Sequence, residues 1–494
     1  MVNNILDINV LFRTLIFLIF FTPIHGLATD LPDMGNSADA LLSPVDEKKL
    51  GKEFMRSVRA ALPLNYDPLN SEYIQHLGER LASQIDTSQR SYKFFIIMDS
   101  SINAFAGPDG HIGINSGLIT STIHEGELAS VVGHEIAHVE QRHLVRSFEA
   151  SQKLSLPALA AIIAAVLLGK GNGELTGAII ASTMAGMSQQ QLSFSRQHEQ
   201  EADRVGIKML AGAGYDPHDM ADFFEILEKS TRLAYSGEIP EFLLTHPVTI
   251  SRISDARARA SQMNPNPVDI INNDKMYYEL IRARLAITML VNDKKSAQLQ
   301  SFLKTPNVTP TDHYTDVLVL FSQRKLKQAK VELDELIKND RKRLPYLVTQ
   351  AELDLASKDY EIAASHLQSS LLLYPDNTSL TLLYAKYLIK IEKPKLAMKV
   401  LLAQIRKTSQ PQGSLYRLYA KAAKQAGEIS EEHESLAEYY YFYGQLHRSI
   451  MHMQLALDNN RRDEFRNLRL TARLDEIKKE VIDNQEDSNE GESK

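Results

Sequence analysis

The chain has 494 residues, of which 44% are apolar and 24% charged, and it contains no cysteine. This length is enough for two or three ordinary domains. The absence of cysteine excludes disulfide bonds and thiolate metal sites, so a bound metal must use histidine and carboxylate ligands. The formal net charge of −7 predicts no nucleic-acid partner.

Residues 1–28 have the pattern of a secretory signal peptide. Arg13 precedes an apolar run from Thr14 to Phe21, and Gly26 and Ala28 are small residues suited to cleavage. This run is shorter than the about 20 residues that a transmembrane helix needs, although an uncleaved N-terminal anchor is the alternative. We therefore expect an exported protein, which is compatible with the lack of cysteine.

The segment after the leader predicts helices followed by a small sheet. Apolar residues recur at helical spacing between residues 45 and 85, and Tyr92–Met98 is short and rich in aromatic and β-branched residues, as in a buried strand. After a Gly-Pro-Asp-Gly turn, His111–Asn115 alternate as a second strand, which we expect to line a cleft and pair with an extended substrate. His111 is expected on the strand surface, and neither His124 nor His143 is expected to act in a site.

The pattern His-Glu-x-x-His is formed by His134, Glu135 and His138. A spacing of four residues places the two histidines on one helix face, where both can reach one metal ion. Glu135 is then suited to be the general base. The alternative is a core helix with two incidental histidines, because the pattern arises by chance in roughly a percent or two of chains this long.

A second motif supplies the carboxylate that a two-histidine zinc site lacks. Glu199 and Asp203 are one helical turn apart, so Glu199 can be the third ligand and Asp203 can hydrogen-bond a ligand histidine. By itself this pair is more often a solvated helix face. In a cysteine-free chain that also contains His-Glu-x-x-His, it indicates one zinc ion per chain.

Two strongly apolar segments, residues 156–168 and 178–187, lie between these motifs. Segments of this length are more typical of core or interfacial helices than of membrane spans. Core packing is the prediction, and peripheral contact with a membrane is the alternative.

His246 precedes Pro247, which restrains it to an extended or turn conformation. Close to zinc, His246 could donate to the oxyanion of the reaction or be a removable fourth ligand that blocks the site. The third alternative is an ordinary loop histidine. We predict that His246 blocks the fourth position of the zinc site.

The second half of the chain has an internal repeat of 34 residues, the tetratricopeptide period. Small residues that let paired helices approach closely recur at this spacing: Ala329, Ala363 and Ala397. A generic helical bundle is the alternative. The acidic residues 483–494 are predicted to be a disordered tail.

The segments HEIAHVEQRH, EQEADRVG and THPVTISRI, in that order, resemble the HtpX-like family of gluzincin metallopeptidases. The resemblance covers about residues 45–262. It implies that zinc is bound by His134, His138 and Glu199, with Glu135 as the catalytic glutamate and Asp203 as its helper. The predicted fold is mainly α: an α+β zinc metallopeptidase domain with a small β-sheet over 29–265, then an all-α tetratricopeptide solenoid over 270–480.

With its leader and repeats, the chain is similar to a periplasmic branch of this family. The resemblance implies a zinc metalloendopeptidase that degrades misassembled outer-membrane β-barrel precursors. It also implies contacts of the repeats with the barrel assembly machinery and the lipopolysaccharide translocon. The alternative is a non-proteolytic periplasmic chaperone or scaffold. We expect a chain that ends near Met263 to bind zinc but to lose these partners.

Overall fold

The computed structural model describes residues 42–85, 91–147, 196–233, 241–263, 274–294, 309–408, 411–460 and 463–492. The predicted signal peptide and both apolar segments between the metal motifs lie outside the described residues. Among the described helices, none combines the length and the apolar character needed to cross a membrane. The described part of the chain is mainly helical with one small sheet, which confirms the predicted fold class.

The first part of the structure consists of two helices, a three-stranded sheet and the long helix that carries the His-Glu-x-x-His pattern. Asp67 begins the second helix by accepting a hydrogen bond from the backbone N–H of Leu69. The elements in order are α1 (Pro44–Ala61), α2 (Pro68–Ala82), β1 (Lys93–Ile97), β2 (Ala104–Ala106), β3 (His111–Asn115), α3 (Ser116–Ser121), α4 (Glu125–Glu140) and α5 (His143–Ser147).

The sheet corrects one expectation about the substrate cleft. The strand order is β1-β3-β2, with β1 parallel and β2 antiparallel to β3. The predicted strand His111–Asn115 is therefore the central strand, and both of its edges are paired. The strand that packs beside α4 and lies at one side of the sheet is β2. It was not predicted from the sequence, because its three residues are too few to show an alternating pattern.

His111 is also placed differently from the expectation of a strand surface. Its side chain is buried, and its Nδ1 lies 2.8 Å from the carbonyl oxygen of Pro108. Burial lowers the pKa of His111 to about 3, so the ring is neutral and donates to the turn that joins β2 to β3. His111 has a structural role.

Four further helices complete this part of the molecule: α6 (Arg196–Gly212), α7 (His218–Leu233), α8 (Glu241–Thr245) and α9 (Ile250–Ala260). Helix α4 is buried along most of its length, and α6 packs directly against it. The two helices cross at Gly133 and Gly206. A Cβ atom on Gly206 would lie 3.1 Å from the backbone nitrogen of His134. The close crossing therefore depends on glycine.

The second part consists of antiparallel helix pairs. The paired helices begin at intervals of 34 residues, at 310, 344 and 378 for the first helix and at 326, 360 and 394 for the second, and Ala329, Ala363 and Ala397 are fully buried. The elements are α10 (Lys275–Asn292), α11 (Pro310–Ser322), α12 (Leu326–Asn339), α13 (Leu344–Ser357), α14 (Tyr360–Leu373), α15 (Thr378–Lys390), α16 (Pro394–Lys407), α17 (Gly413–Ala426), α18 (Ile429–Phe442), α19 (Leu446–Asp458) and α20 (Glu464–Glu492).

The two parts share one hydrophobic core. The described residues from Pro44 onward belong to a single compact unit, and one buried cluster extends from Leu69 of α2 to Leu383 of α15. The Tyr278 hydroxyl donates to the carbonyl of Ile119 at 3.1 Å, and Glu72 accepts from the backbone N–H of Thr378 at 2.8 Å. The predicted boundary between 265 and 270 lies outside the described residues. A chain ended near Met263 would expose this shared core to water.

The acidic C-terminal segment differs from its prediction. Residues 483–492 continue helix α20 instead of forming a disordered tail. Leu470, Leu474 and Ile477 anchor the beginning of this helix in a buried cluster. Once a helix is nucleated, each added residue costs little, and this segment has no proline to end it.

Candidate metal centre

The predicted ligands converge at the crossing of α4 and α6. Helix α4 presents His134 and His138 on one face, with their Nε2 atoms 3.0 Å apart. The Glu199 carboxylate of α6 faces both rings, with 3.4 Å from Oε2 to His134 Nε2 and 3.4 Å from Oε1 to His138 Nε2. All three side chains are at most 3% exposed. The structure thus brings together the residues that the two motifs predicted.

His246 is the fourth member of the group. It follows α8, and its Nδ1 lies 3.0 Å from Glu199 Oε1 and 3.5 Å from His134 Nε2. One ligand atom from each of the four residues lies within 4.8 Å of all the others. Three nitrogen donors and one carboxylate at this spacing match the ligand types of a tetrahedral zinc site.

Glu135 lies beside this group without belonging to it. Its side chain is fully buried, and the groups that face its carboxylate include the His246 ring and the backbone N–H of Ala106 in β2. Nε2 of His246 is 3.6 Å from Oε1. A carboxylate that is fully buried without a close cationic partner such as arginine or lysine among the described residues is costly for stability, so its presence indicates a chemical role.

Asp203 and Arg252 hold the ligands from behind. Oδ1 of Asp203 is 2.9 Å from His134 Nδ1, the ring nitrogen opposite the ligand atom. The Arg252 guanidinium donates to both oxygens of Asp203 at 2.7 and 2.8 Å, and its NH1 lies 2.9 Å from Glu199 Oε2. A further hydrogen bond joins Arg252 to the carbonyl of Pro247, next to His246. Arg252 therefore joins two carboxylates of α6 to the segment that follows His246.

Arg252 was not predicted as a site residue. Its only sequence signal is its position six residues after His246, in the first turn of α9. A buried arginine is rare unless it is paired, but its burial cannot be read from a polar helix such as α9. His143 was not predicted to contact the site either. The structure buries it against His138, with 2.9 Å between their Nδ1 atoms.

Residues 68–260 match peptidase family M48. The beta-barrel assembly-enhancing protease of Yersinia pestis is 32% identical over 454 residues, which are 91% of this chain and 92% of that protein. The putative beta-barrel assembly-enhancing protease of Vibrio cholerae is 37% identical over 63% of each chain. The mitochondrial metalloendopeptidase OMA1 of Arabidopsis thaliana is 31% identical over 32% of this chain and 29% of that protein.

The chain belongs to peptidase family M48. It is a metal-dependent peptidase, as the sequence predicted, and the metal of the family is zinc. The group of His134, His138, Glu199 and His246, here called the M48 centre, fits that ion. Its four buried donors lie within 4.8 Å of one another and are all imidazole or carboxylate groups.

The electrostatics of the M48 centre also suit a cation. Burial alone would raise the pKa of Glu199, but His246, His134 and His138 hold it well below its ordinary value, so the carboxylate is ionised. Burial lowers the pKa of His134, yet Asp203 and Glu199 raise it to about 10. The raised pKa shows that the carboxylates of Asp203 and Glu199 favour positive charge at the His134 ring. A metal ion bound to that ring supplies such a charge.

Proposed function

We propose that this M48 peptidase is a zinc metalloendopeptidase that degrades misassembled β-barrel precursors in the periplasm during outer-membrane protein assembly. The observation that carries the proposal is the buried group of His134, His138, Glu199 and His246 beside the buried carboxylate of Glu135. The assembly role is supported by similarity, over 91% of the chain, to a protein named a beta-barrel assembly-enhancing protease. The predicted leader over 1–28 supports export.

In this proposal His134, His138 and Glu199 bind zinc, and Asp203 and Arg252 orient two of these ligands. Asp203 fixes the ring of His134 through Nδ1, and Arg252 fixes both Asp203 and Glu199. Such partners behind the ligands set ligand orientation and basicity. The buried position of all five side chains excludes bulk water from competing for these contacts.

Zinc, when bound, supplies Lewis acidity that polarises the scissile carbonyl and acidifies the attacking water. Glu135 takes one proton from that water while the water oxygen bonds to the carbonyl carbon. The same carboxyl then gives the proton to the amide nitrogen as the carbon–nitrogen bond breaks. Glu135 is placed for this transfer, because its buried carboxylate lies 3.6 Å from the His246 ring of the metal group.

The edge of β2 is suited to bind an extended substrate. Ala104–Ala106 lie against α4, and within the described residues no strand pairs with their outer edge. An extended peptide can add to such an edge through backbone hydrogen bonds, which depend little on sequence. This mode suits a protease of misassembled β-strands, because unpaired strands of any sequence share the same backbone groups.

The helical array is proposed to recruit partners. Its helix pairs have the tetratricopeptide period of 34 residues, and stacks of such pairs present extended surfaces to other proteins. In this role the array contacts misassembled precursors, the barrel assembly machinery and the lipopolysaccharide translocon. The shared core keeps these partners close to the metal centre.

The proposal is tested with Glu135→Gln in the full chain. We expect this variant to bind one zinc ion, measured by plasma mass spectrometry, and to lose cleavage of an unfolded β-barrel precursor. Glu140→Gln is the control, since Glu140 lies at the end of the same helix, where it accepts a hydrogen bond from Tyr92 and is not part of the metal group. Cleavage by Glu135→Gln at the wild-type rate would refute the assignment. Wild-type support of assembly by this variant, without cleavage, would favour the scaffold function.

A further inference from the structure

His143 is a buried histidine that the mechanism above does not use. It begins α5, directly after Arg142, whose φ of 52° turns the chain back toward α4. The His143 side chain is fully buried, and its ring stacks on that of His198 with centroids 4.2 Å apart and 15° between the planes. The turn thus places an imidazole against the back of the metal centre.

The ring nitrogens of His143 and His138 face each other. Nδ1 of His143 lies 2.9 Å from Nδ1 of His138, and the two rings are nearly perpendicular, at 74°. Because the Nε2 atom of His138 faces the other donors, it must keep its lone pair to bind a metal. The proton of a neutral His138 is then on Nδ1, and this N–H donates a hydrogen bond to Nδ1 of His143.

Glu201 completes the arrangement on the other side of His143. With Nδ1 as an acceptor, the proton of a neutral His143 is on Nε2, and this atom lies 3.3 Å from Glu201 Oε2. Glu201 in turn lies 3.9 Å from the Arg146 guanidinium. In this arrangement His143 accepts a hydrogen bond through Nδ1 and donates one through Nε2.

We propose that His143 is a positioning residue that holds His138 in its metal-binding tautomer and orientation, with Glu201 fixing the tautomer of His143. The two ligand histidines are then supported differently: His134 by the carboxylate of Asp203 and His138 by a neutral imidazole. The inference rests on the proposed function, because it requires His138 to be a ligand.

Substitutions at His143 separate hydrogen bonding from packing. Phenylalanine preserves an aromatic ring that can stack on His198 but cannot accept a hydrogen bond from His138. Asparagine loses the ring, yet its side-chain oxygen occupies nearly the place of Nδ1 and accepts from His138. Glutamine places its oxygen farther out, near the position of Nε2, and cannot accept in the same way.

The measurement is the zinc dissociation constant of each full-chain variant, determined by competition with a chromophoric chelator. We expect His143→Phe and His143→Gln to bind zinc about 10–100-fold more weakly than the wild type, and His143→Asn to recover most of the affinity. The visible spectrum of the Co²⁺-loaded protein should change in the same order, because it reports ligand geometry.

Equal affinities of the asparagine and glutamine variants would overturn the proposal, as would wild-type affinity in His143→Phe. The asparagine–glutamine comparison remains valid if the phenylalanine variant does not fold. Failure of the proposed function gives a different result: the wild-type chain itself would then not bind one zinc ion, or His138→Ala would bind it as tightly as the wild type.

Discussion

His246 occupies the fourth donor position of the group, and it reaches that position from a segment 112 residues away from His134. A zinc site with three protein ligands keeps one position for the reaction, whereas four protein ligands close it. The distances of 3.0 Å to Glu199 and 3.6 Å to Glu135 therefore support the blocking role over a role as oxyanion donor.

The first prediction at the residue scale concerns this block. We expect His246→Ala to keep zinc and to raise basal cleavage of an unfolded precursor, because the fourth position becomes open. The exposed His218→Ala is the control. A fall in rate of about 10²–10³-fold would instead assign His246 to the oxyanion. An unchanged rate would exclude it from the site.

The second prediction at this scale concerns Asp219, in the first turn of α7. Its carboxylate lies against Gly126 of α4, where even a Cβ atom would collide with it. Burial, together with the nearby Asp216, Glu127 and Asp222, raises the pKa of Asp219 to about 7. The folded state thus binds this proton more tightly than the unfolded state does. Folding stability is therefore lost as the pH rises from about 4 to about 7.

We expect Asp219→Asn to increase the free energy of unfolding by about 1–3 kcal/mol at pH 8 and by much less near pH 4. Chemical denaturation across this pH range measures the difference. Glu361→Gln, at an exposed position of helix α14, controls for the loss of one negative charge, because Glu361 is not among the charges that raise the pKa of Asp219. A gain in stability that did not vary with pH would contradict the raised pKa.

At the scale of elements, the crossing of α4 and α6 sets the distance between the ligands. Gly206 of α6 faces the backbone of Gly133 and His134, and a Cβ atom there would lie 3.1–3.2 Å from three backbone atoms of α4. Helix backbone cannot move aside as a side chain can, so a larger residue must separate the helices. Glu199 and Asp203 would then move away from the two histidines.

We expect Gly206→Ala to lower zinc affinity and to destabilise the protein by about 1–3 kcal/mol, less the helix-propensity gain of about 1 kcal/mol. Gly212→Ala is the matched control at the end of the same helix, where the contact is the flexible side chain of Gln84. Chelator competition and thermal unfolding measure both effects. Unchanged zinc affinity in Gly206→Ala would show that the crossing tolerates a methyl group.

At the scale of the whole molecule, a charge network centred on the buried Arg284 joins the array to the peptidase part. Arg284 of α10 donates to Asp67 at 2.6 Å and to Glu352 of α13 at 2.7 and 3.0 Å. The other oxygen of Asp67 caps α2. One arginine therefore joins the start of a peptidase helix to two helices of the array.

We expect Arg284→Leu to lower the free energy of unfolding by about 2–4 kcal/mol, because two partly buried carboxylates lose a buried counter-charge. Calorimetry should show both parts unfolding together at a lower temperature. Arg469→Leu removes an exposed partner of Glu434 and should cost about 0–1 kcal/mol. Separate transitions in the wild-type protein would contradict the shared core.

The sequence alone determined the features that depend on local periodicity. The pairing of His134 with His138, and of Glu199 with Asp203, follows from the 3.6-residue turn of a helix. The buried alanines at 34-residue spacing follow from the repetition of one helix pair. Strand β3 was predicted at its observed bounds, since a glycine-rich turn precedes it and its residues alternate.

Only the tertiary structure decided the features that depend on distant segments packing together. It placed His246 in the metal group and Arg252 behind it, and it brought His143 to the back of His138. It left the outer edge of β2 without a paired strand among the described residues. It also joined the array to the peptidase part in one core. None of these features produces a periodic pattern in the sequence. Each arises where segments far apart in the chain pack together, and the residues that meet there have no fixed spacing along the chain.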